Sequence, residues 1–290
     1  EWERRSLPLG NGSIGCNVMG SVATERYTLN EKTLWRGGPN TAKGPADYWN
    51  QNKQSAHLLP EIRQAFVDGD FDKAGRLTSQ NFNSPVPYES WREPQFRFGS
   101  FTTLGELTFE TDINEKGIRN YRRALSVDSA YATVSFTTAE GIGYERRTFV
   151  SYPANMLVTR FTATEKGKQN FTLKYAPNPL GEGNFAADGE NGILYTARLD
   201  NNQMEYAVRI HVIAKKGTVQ YADGAIKVTG ADEVMVLLTA DTDYKPNYNP
   251  DFNDPKAYVG VDPKATTAQW MKAAAKQNFK KLLKTHYKDY

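Results

Sequence analysis

The sequence predicts a mainly β fold: a large two-sheet antiparallel β-sandwich (a supersandwich) with short helical insertions and a C-terminal linker helix. Three observations predict it. Apolar residues alternate with period two in several segments. In Phe171-Thr172-Leu173-Lys174-Tyr175 they fall on one face. Ala132, Val134 and Phe136 alternate against Thr133 and Ser135, and Tyr206, Val208, Ile210 and Val212 against Glu205, Arg209 and His211. This is the pattern of antiparallel strands with one buried face. Turn signals separate these segments, at Glu140-Gly141, Glu165-Lys166-Gly167, Lys216-Gly217 and Asp223-Gly224. The composition, with 16 Tyr and 14 Phe beside many Thr and Val, suits pleated surfaces. At 290 residues the chain can bury about 75% of its unfolded surface, enough for one large β domain.

Taken in order, the chain opens with Gly10-Asn11-Gly12-Ser13-Ile14-Gly15. The spacing matches G-x-G-x-x-G, but the strand-like alternation that follows denies it the helix a dinucleotide site requires. A tight turn entering a strand is the better reading. About a dozen strands are expected between Ser13 and Ala240. Two short helices interrupt them. Pro60 suits a first turn, Leu59, Ile62 and Phe66 share a face, and Gly69 closes the end. Phe71, Ala74 and Leu77 mark the second. Residues 81–95, with Pro85, Pro87, Tyr88, Trp91 and Pro94, read as a long loop. Residues 244–263 read as an irregular crossing. Asp262 then caps a helix with Pro263 in its first turn. Met271, Ala275, Phe279, Leu282, Leu283, His286 and Tyr290 form one stripe, which docks on the sandwich or faces another domain. The division is 1–261 for the sandwich and 262–290 for the linker helix.

Several function classes are set aside. The charges, net +3, are mixed, so no footprint for nucleic acid stands out. Arg122-Arg123 and Arg146-Arg147 are read as solvated strand faces. The one cysteine, Cys16, excludes an internal disulfide and is read as a small core residue. His57, His211 and His286 are too dispersed for a zinc site, and neither metal nor cofactor is expected. No stretch approaches the ~20 apolar residues of a membrane span. The chain starts with Glu1 rather than Met, which suggests a processed or trimmed start, so the missing signal does not argue for the cytoplasm, and a periplasmic or secreted location with the signal peptide removed is expected.

The best contact loop is Trp35-Arg36-Gly37-Gly38-Pro39. Trp offers a flat apolar face to a sugar ring, and Arg a planar donor fork. Sugar contact, packing on a neighbouring domain and an internal role are all open for Trp35, and packing on a neighbour is preferred. Trp91 and Trp49 carry weaker versions of the argument. Asn11 and Glu31 complete the candidate sugar-facing or interdomain positions. Asn11-Gly12-Ser13 and Asn170-Phe171-Thr172 are formal N-glycosylation sequons with no function attached. Glycoside hydrolysis takes two carboxyl groups. Glu25 and Glu31, an even six apart, can share a face, but solvated strand ends are the preferred reading. Asp241 and Asp243 are read as a strand-to-loop transition.

Leu7-Pro8-Leu9-Gly10-Asn11-Gly12, Leu29-Asn30-Glu31-Lys32-Thr33-Leu34-Trp35 with Gly37-Gly38-Pro39, Leu59-Pro60-Glu61-Ile62-Arg63 and Thr103-Leu104-Gly105-Glu106-Leu107 together resemble glycoside hydrolase family 95, the α-L-fucosidase family, whose N-terminal domain is related to that of family 65. Tyr121-Arg122-Arg123-Ala124-Leu125, Arg146-Arg147-Thr148-Phe149, Val228-Thr229-Gly230-Ala231-Asp232-Glu233 and His286-Tyr287-Lys288-Asp289-Tyr290 extend the resemblance over nearly the whole chain. It implies a non-catalytic N-terminal β-sandwich joined by a helical linker to an (α/α)6 barrel that hydrolyses α-L-fucosyl or α-L-galactosyl linkages with inversion. In the family a glutamate is the general acid, and an asparagine-polarised water, aided by an aspartate, attacks the sugar. Those residues belong to the barrel, so no catalytic residue is carried over. The implied partners are that C-terminal barrel and a fucosylated glycan. Arg36 departs from the family pattern, which more often has a small residue such as Ser there. A free-standing carbohydrate-binding module is the alternative.

Overall fold

The computed structural model describes residues 2–36, 53–82, 100–200, 202–251, 254 and 256–290. Two antiparallel sheets face each other, as the alternation predicts. Strands are numbered in chain order. One sheet has seven strands in the order β1 (Leu7–Gly10), β2 (Ile14–Val18), β3 (Thr24–Glu31), β6 (Gly105–Thr111), β11 (Gln169–Pro177), β16 (Ala225–Ala231) and β15 (Thr218–Ala222). The other has eight, in the order β12 (Gly181–Ala187), β13 (Gly192–Leu199), β14 (Glu205–Lys215), β17 (Glu233–Thr242), β10 (Met156–Ala163), β9 (Gly143–Ser151), β8 (Tyr131–Thr137) and β7 (Arg119–Ser126). A separate ribbon pairs β4 (Trp35–Arg36) with β5 (Ser100–Phe101). The described residues thus hold seventeen strands rather than about a dozen. The extra ones include two- to five-residue pieces too short to show a period.

The inner faces supply one core. Ile14, Cys16, Val18, Tyr27, Leu29, Leu107, Phe109, Phe171 and Leu173 come from the seven-stranded sheet. Val134, Phe136, Leu157, Phe161, Tyr206, Val208, Ile210, Val212, Val236 and Leu238 come from the other. Phe109 lies at its centre, with ring centroids 5.0–5.8 Å from Tyr27, Phe161 and Phe171. The Tyr27 hydroxyl shares a 2.8 Å hydrogen bond with Thr148 of the opposite sheet, so its polar end is satisfied in the dry interior. Cys16 is a core residue, and burial pushes its thiol pKa up. The Gly10–Gly15 motif is the β1–β2 hairpin, with Gly12 at φ 83°, a conformation glycine adopts without strain.

Two sequence expectations are overturned in this core. Glu25 and Arg146 were expected in water, yet they are 0% and 3% exposed and form a 3.3 Å ion pair between the sheets. Glu25 Oε1 accepts from the backbone N–H groups of Gly20 (2.8 Å), Ser21 and Arg26 (3.0 Å). Arg146 donates to the carbonyls of Ser21 and Val22. The pair closes the β2–β3 turn, and a carboxylate there is tolerable because every backbone group of the turn needs a partner. Similarly, Arg209 alternates away from the core as expected but is not solvated. It pairs with Asp188 and donates to the Lys264 carbonyl, while His211 bonds the same Asp188 at 2.5 Å.

The helices account for the remaining burial. A 3-10 turn (Lys53–Leu58) leads into α2 (Leu59–Val67) and α3 (Phe71–Asn81), which follow a short α1 (Trp2–Arg5). Pro60 sits in the first turn of α2, and Gly69 takes φ 73° beyond its end. Ile62, Ala65 and Ala74 are buried, whereas Leu59 and Phe66, on the same predicted face as Ile62, and Phe71, spaced with Ala74, are exposed. The C-terminal stripe docks on the sandwich and divides into two helices, α4 (Pro263–Ala274) and α5 (Phe279–Asp289), rather than one. The break falls where Asn278 caps α5 by accepting from Lys281 N. Met271, Ala274, Phe279 and Leu282 pack on Phe149, Met156, Val158, Met235 and Leu237 of the outer face of the eight-stranded sheet. Asp262 caps α4 through Lys264 N and Ala265 N, as the sequence indicates.

Candidate functional site

One end of the sandwich gathers four of the five candidate residues. Trp91 lies outside the described residues, as do Trp49 and Gly37-Gly38-Pro39. Asn11 in the β1–β2 turn accepts from Ser13 N and Ile14 N and donates to the Ser151 carbonyl (3.0 Å) and Asn155 Oδ1 (3.0 Å). Thr239 binds the Asn155 carbonyl, and Thr242, three residues on, shares a hydrogen bond with Thr33. Thr33 in turn donates its N–H (2.7 Å) and hydroxyl (2.6 Å) to Glu31. Asn11, Glu31 and the end of β17 are therefore one hydrogen-bonded frame. Asn11 uses both ends of its amide within the fold, so its role here is structural.

Glu31 is 1% exposed rather than a solvated strand end. It shares the inward face of β3 with Glu25, as the even spacing indicates. Burial raises its carboxyl pKa, with Thr33 opposing and Asp241 adding. Asp241 and Asp243, at the end of β17, are also raised by burial. Burial thus shifts all three carboxyls of this strand end upward. The Asp241 carboxyl has the Thr242 backbone N–H and the Thr266 hydroxyl as partners, and the Asp243 main chain is tied at both ends, its N–H donating to the Glu205 carbonyl and its carbonyl accepting from Gly260 N. Among the described residues no group of three His, Cys, Asp or Glu is placed to hold a metal ion.

The ribbon projects from this end. Trp35 is 44% exposed and meets Phe101, 47% exposed, edge to face with centroids 5.6 Å apart. Its indole N–H donates to the Lys32 carbonyl at 2.9 Å, which fixes the ring. Arg36 takes the opposite side of the ribbon and is buried. Its guanidinium grips Asp200 with Nη2 at 3.0 and 2.9 Å from the two carboxylate oxygens. The donor fork foreseen for a ligand is thus engaged by a carboxylate of the same chain, Asp200. Asn202 donates to the Trp35 carbonyl at 2.6 Å, a second tie from the same β13–β14 turn. Asp200, Asn202, Thr242 and Phe101 were missed by sequence reasoning. Asp200 lies 164 positions from Arg36, and no local period connects residues that far apart. Replacing Asp200 with Ala leaves Arg36 unpaired in a buried place and is expected to cost about 1–3 kcal/mol. Hydrogen exchange should show the loss concentrated at residues 31–36. Unchanged protection there would sink the clamp reading.

Comparison with known proteins bears on the whole chain. Residues 1–247 match the family described as Glycosyl hydrolase family 65, N-terminal domain. "Probable alpha-fucosidase A" of Aspergillus niger is 30% identical over 98% of this chain and 34% of its own length. "Alpha-L-fucosidase 2" of Arabidopsis thaliana is 26% identical over 59% of this chain and 18% of its own. The chain thus spans about a third or less of the curated relatives it matches. A solved bacterial glucoamylase complexed with acarbose shares 13% identity over 65% of this chain and 31% of that chain, at a TM-score of 0.34, too weak a likeness to bear on function. These findings agree with the resemblance carried by the opening motifs. With the match spanning 247 of 290 residues and a two-sheet sandwich beneath it, the chain belongs to the family of glycosyl hydrolase family 65 N-terminal domains.

Proposed function

We propose that this chain is the non-catalytic N-terminal sandwich of an α-L-fucosidase-type glycoside hydrolase of the secreted or periplasmic kind. In this reading its strand end packs on the catalytic barrel and shapes the rim of the active site. The observation that carries it is the ribbon: two exposed aromatic rings positioned by the pair of buried Arg36 with Asp200 and by two hydrogen bonds involving Trp35. Ordering an exposed apolar pair this firmly has a physical use when the pair meets another surface. The fucosidase names of the curated relatives support the substrate class, a fucosylated glycan.

The same exposed rings support the second reading, a sugar-binding module, since a fixed indole is a stacking platform. Activity and binding assays separate the two. With 2′-fucosyllactose as substrate, this chain is expected to be inactive and a chain extended past Tyr290 active. Turnover by the present chain overturns the non-catalytic reading. Within the active longer chain, Trp35→Ala is expected to alter KM or kcat. Unchanged kinetics, together with fucose binding by the present chain that Trp35→Ala abolishes, would favour the module.

A further inference from the structure

Residues 263–290 hold seven lysines and one acidic residue, Asp289, although the whole chain carries only +3, so the remainder is net acidic. All seven lysines are exposed. None takes part in an ion pair among the described residues. Lys280, Lys284 and Lys288 recur every fourth residue along α5, about 6 Å apart along its axis. They lie away from the buried Phe279, Leu282 and His286, with Lys281 beside them. A solvated helix usually interleaves both signs, which adds i,i+4 pairs. Here like charges sit four apart, with no carboxylate paired to them among the described residues, an arrangement that costs stability unless an anion offsets it.

Beside this helix lies a trough of about 420 Å³. It occupies the part of the outer face of the eight-stranded sheet toward the β8–β9 hairpin, while α4 and α5 cover Phe149, Met156, Val158, Met235 and Leu237 elsewhere on that sheet. Its lining includes Asn120, Ser135, Thr137, Glu145, Thr162 and Thr164. Register places Ser135 opposite Glu145 and Glu145 opposite Thr162, so hydroxyls and a carboxylate lie in one row across three strands. The trough is open because these side chains are small and Gly143 has none. A chain of contacts joins trough to helix: Glu145 pairs with Arg147 at 3.2 Å, Arg147 lies 5.1 Å from the Tyr131 ring, and Tyr131 lies 6.1 Å from Tyr287 of α5.

We propose that this face binds an anionic polysaccharide, a polymer bearing uronate or sulfate groups. The trough has the size of a small-ligand site, and its hydroxyl, amide and carboxylate groups match the donors and acceptors of sugar rings. The lysine stripe attracts the acidic groups of neighbouring units, an attraction that salt weakens. The trough lies at the far end of the strands from Trp35 and does not depend on the fucosidase reading.

Affinity electrophoresis through gels containing polygalacturonate, dextran sulfate or neutral dextran tests it. The chain is expected to be retarded by either polyanion at low salt and not by neutral dextran, and the better polyanion tells carboxylate from sulfate. Lys280→Glu/Lys284→Glu/Lys288→Glu, all exposed, should weaken retardation about tenfold or more. Ser135→Phe, which fills the trough from its solvent side, should weaken it as well, with folding of both variants checked by circular dichroism. Trp35→Ala should leave retardation intact. No retardation by either polyanion overturns the proposal, as does equal retardation by neutral dextran or indifference to the lysine reversal. Indifference to Ser135→Phe, with duplex DNA of equal charge competing as well as polygalacturonate, also overturns it and points to nucleic acid. Loss of binding in Trp35→Ala would move the site to the strand end.

Discussion

Replacing Arg146 with Met is expected to lower the unfolding free energy by about 3–5 kcal/mol at neutral pH. The methionine keeps most of the volume between Phe136 and Phe161, whose rings lie 5.5 and 5.8 Å from the guanidinium. What is lost is the charge. Glu25, fully buried, would face three backbone N–H groups but no cation, and the Ser21 and Val22 carbonyls would lose their donor. Burial already pushes the Glu25 carboxyl pKa up, with Arg146 and the backbone donors opposing. Without Arg146 the rise is larger.

The pH dependence follows from that sign. A carboxyl whose folded pKa is raised takes up its proton in the folded state first. Its favourable contribution is complete below the unfolded value, about 4.3 for glutamate, and is lost as pH rises through the folded value. In the variant this window extends further upward. The cost of Arg146→Met should therefore shrink as pH falls toward the carboxylate range. Urea unfolding of both proteins at neutral and acidic pH measures it. A loss under about 1 kcal/mol with unchanged pH dependence would mean the pair contributes nothing beyond what well-packed apolar groups supply.

Phe149→Ala is expected to cost about 3–5 kcal/mol, as for other buried phenylalanines, and to release α5 in particular. The ring is fully buried on the outer face of β9, 5.6 Å from the Phe279 ring and 4.8 Å from His286, which stacks on it. His286 also bonds the Ser129 and Ala130 carbonyls at 3.2 and 3.1 Å. Removing Phe149 leaves a cavity beneath the helix, and α5 then rests on those hydrogen bonds and on the remaining contacts of Phe279 and Leu282. Hydrogen exchange should quicken in α5 well before it quickens in β3, β6 or β11 of the other sheet. A uniform loss of protection would mean that helix and sandwich unfold as one unit and that α5 is no separate layer.

Much of the fold is legible in the residues. The alternation at 206–212 names the buried face of β14, and burial of Tyr206, Val208, Ile210 and Val212 follows it. Asp262-Pro263 marks the start of α4, and Gly12 and Gly69 mark turns that need positive φ. The site is less legible. Trp35 is exposed, while its neighbour Arg36 is buried and pairs with Asp200, which comes from a turn far along the chain. Glu25, Glu31 and Arg146 were placed in water because charged residues usually are. That rule fails where partners satisfy the group, a distant one for Glu25 and Arg146 and the nearby Thr33 for Glu31.

The sequence by itself determined the mainly β class, the two-sheet sandwich, the family and the capped C-terminal helix start. Each rests on a local period, a turn residue or a contiguous motif. Only the tertiary structure decided which charged residues are buried, that the C-terminal stripe splits in two and lies on the eight-stranded sheet, and that Arg36 pairs with Asp200. The burial of the charged residues depends on pairs separated by more than a hundred residues, such as Glu25 with Arg146 and Arg36 with Asp200. Folding brings such partners together, and the free energy of burying one member is set by whether the other arrives.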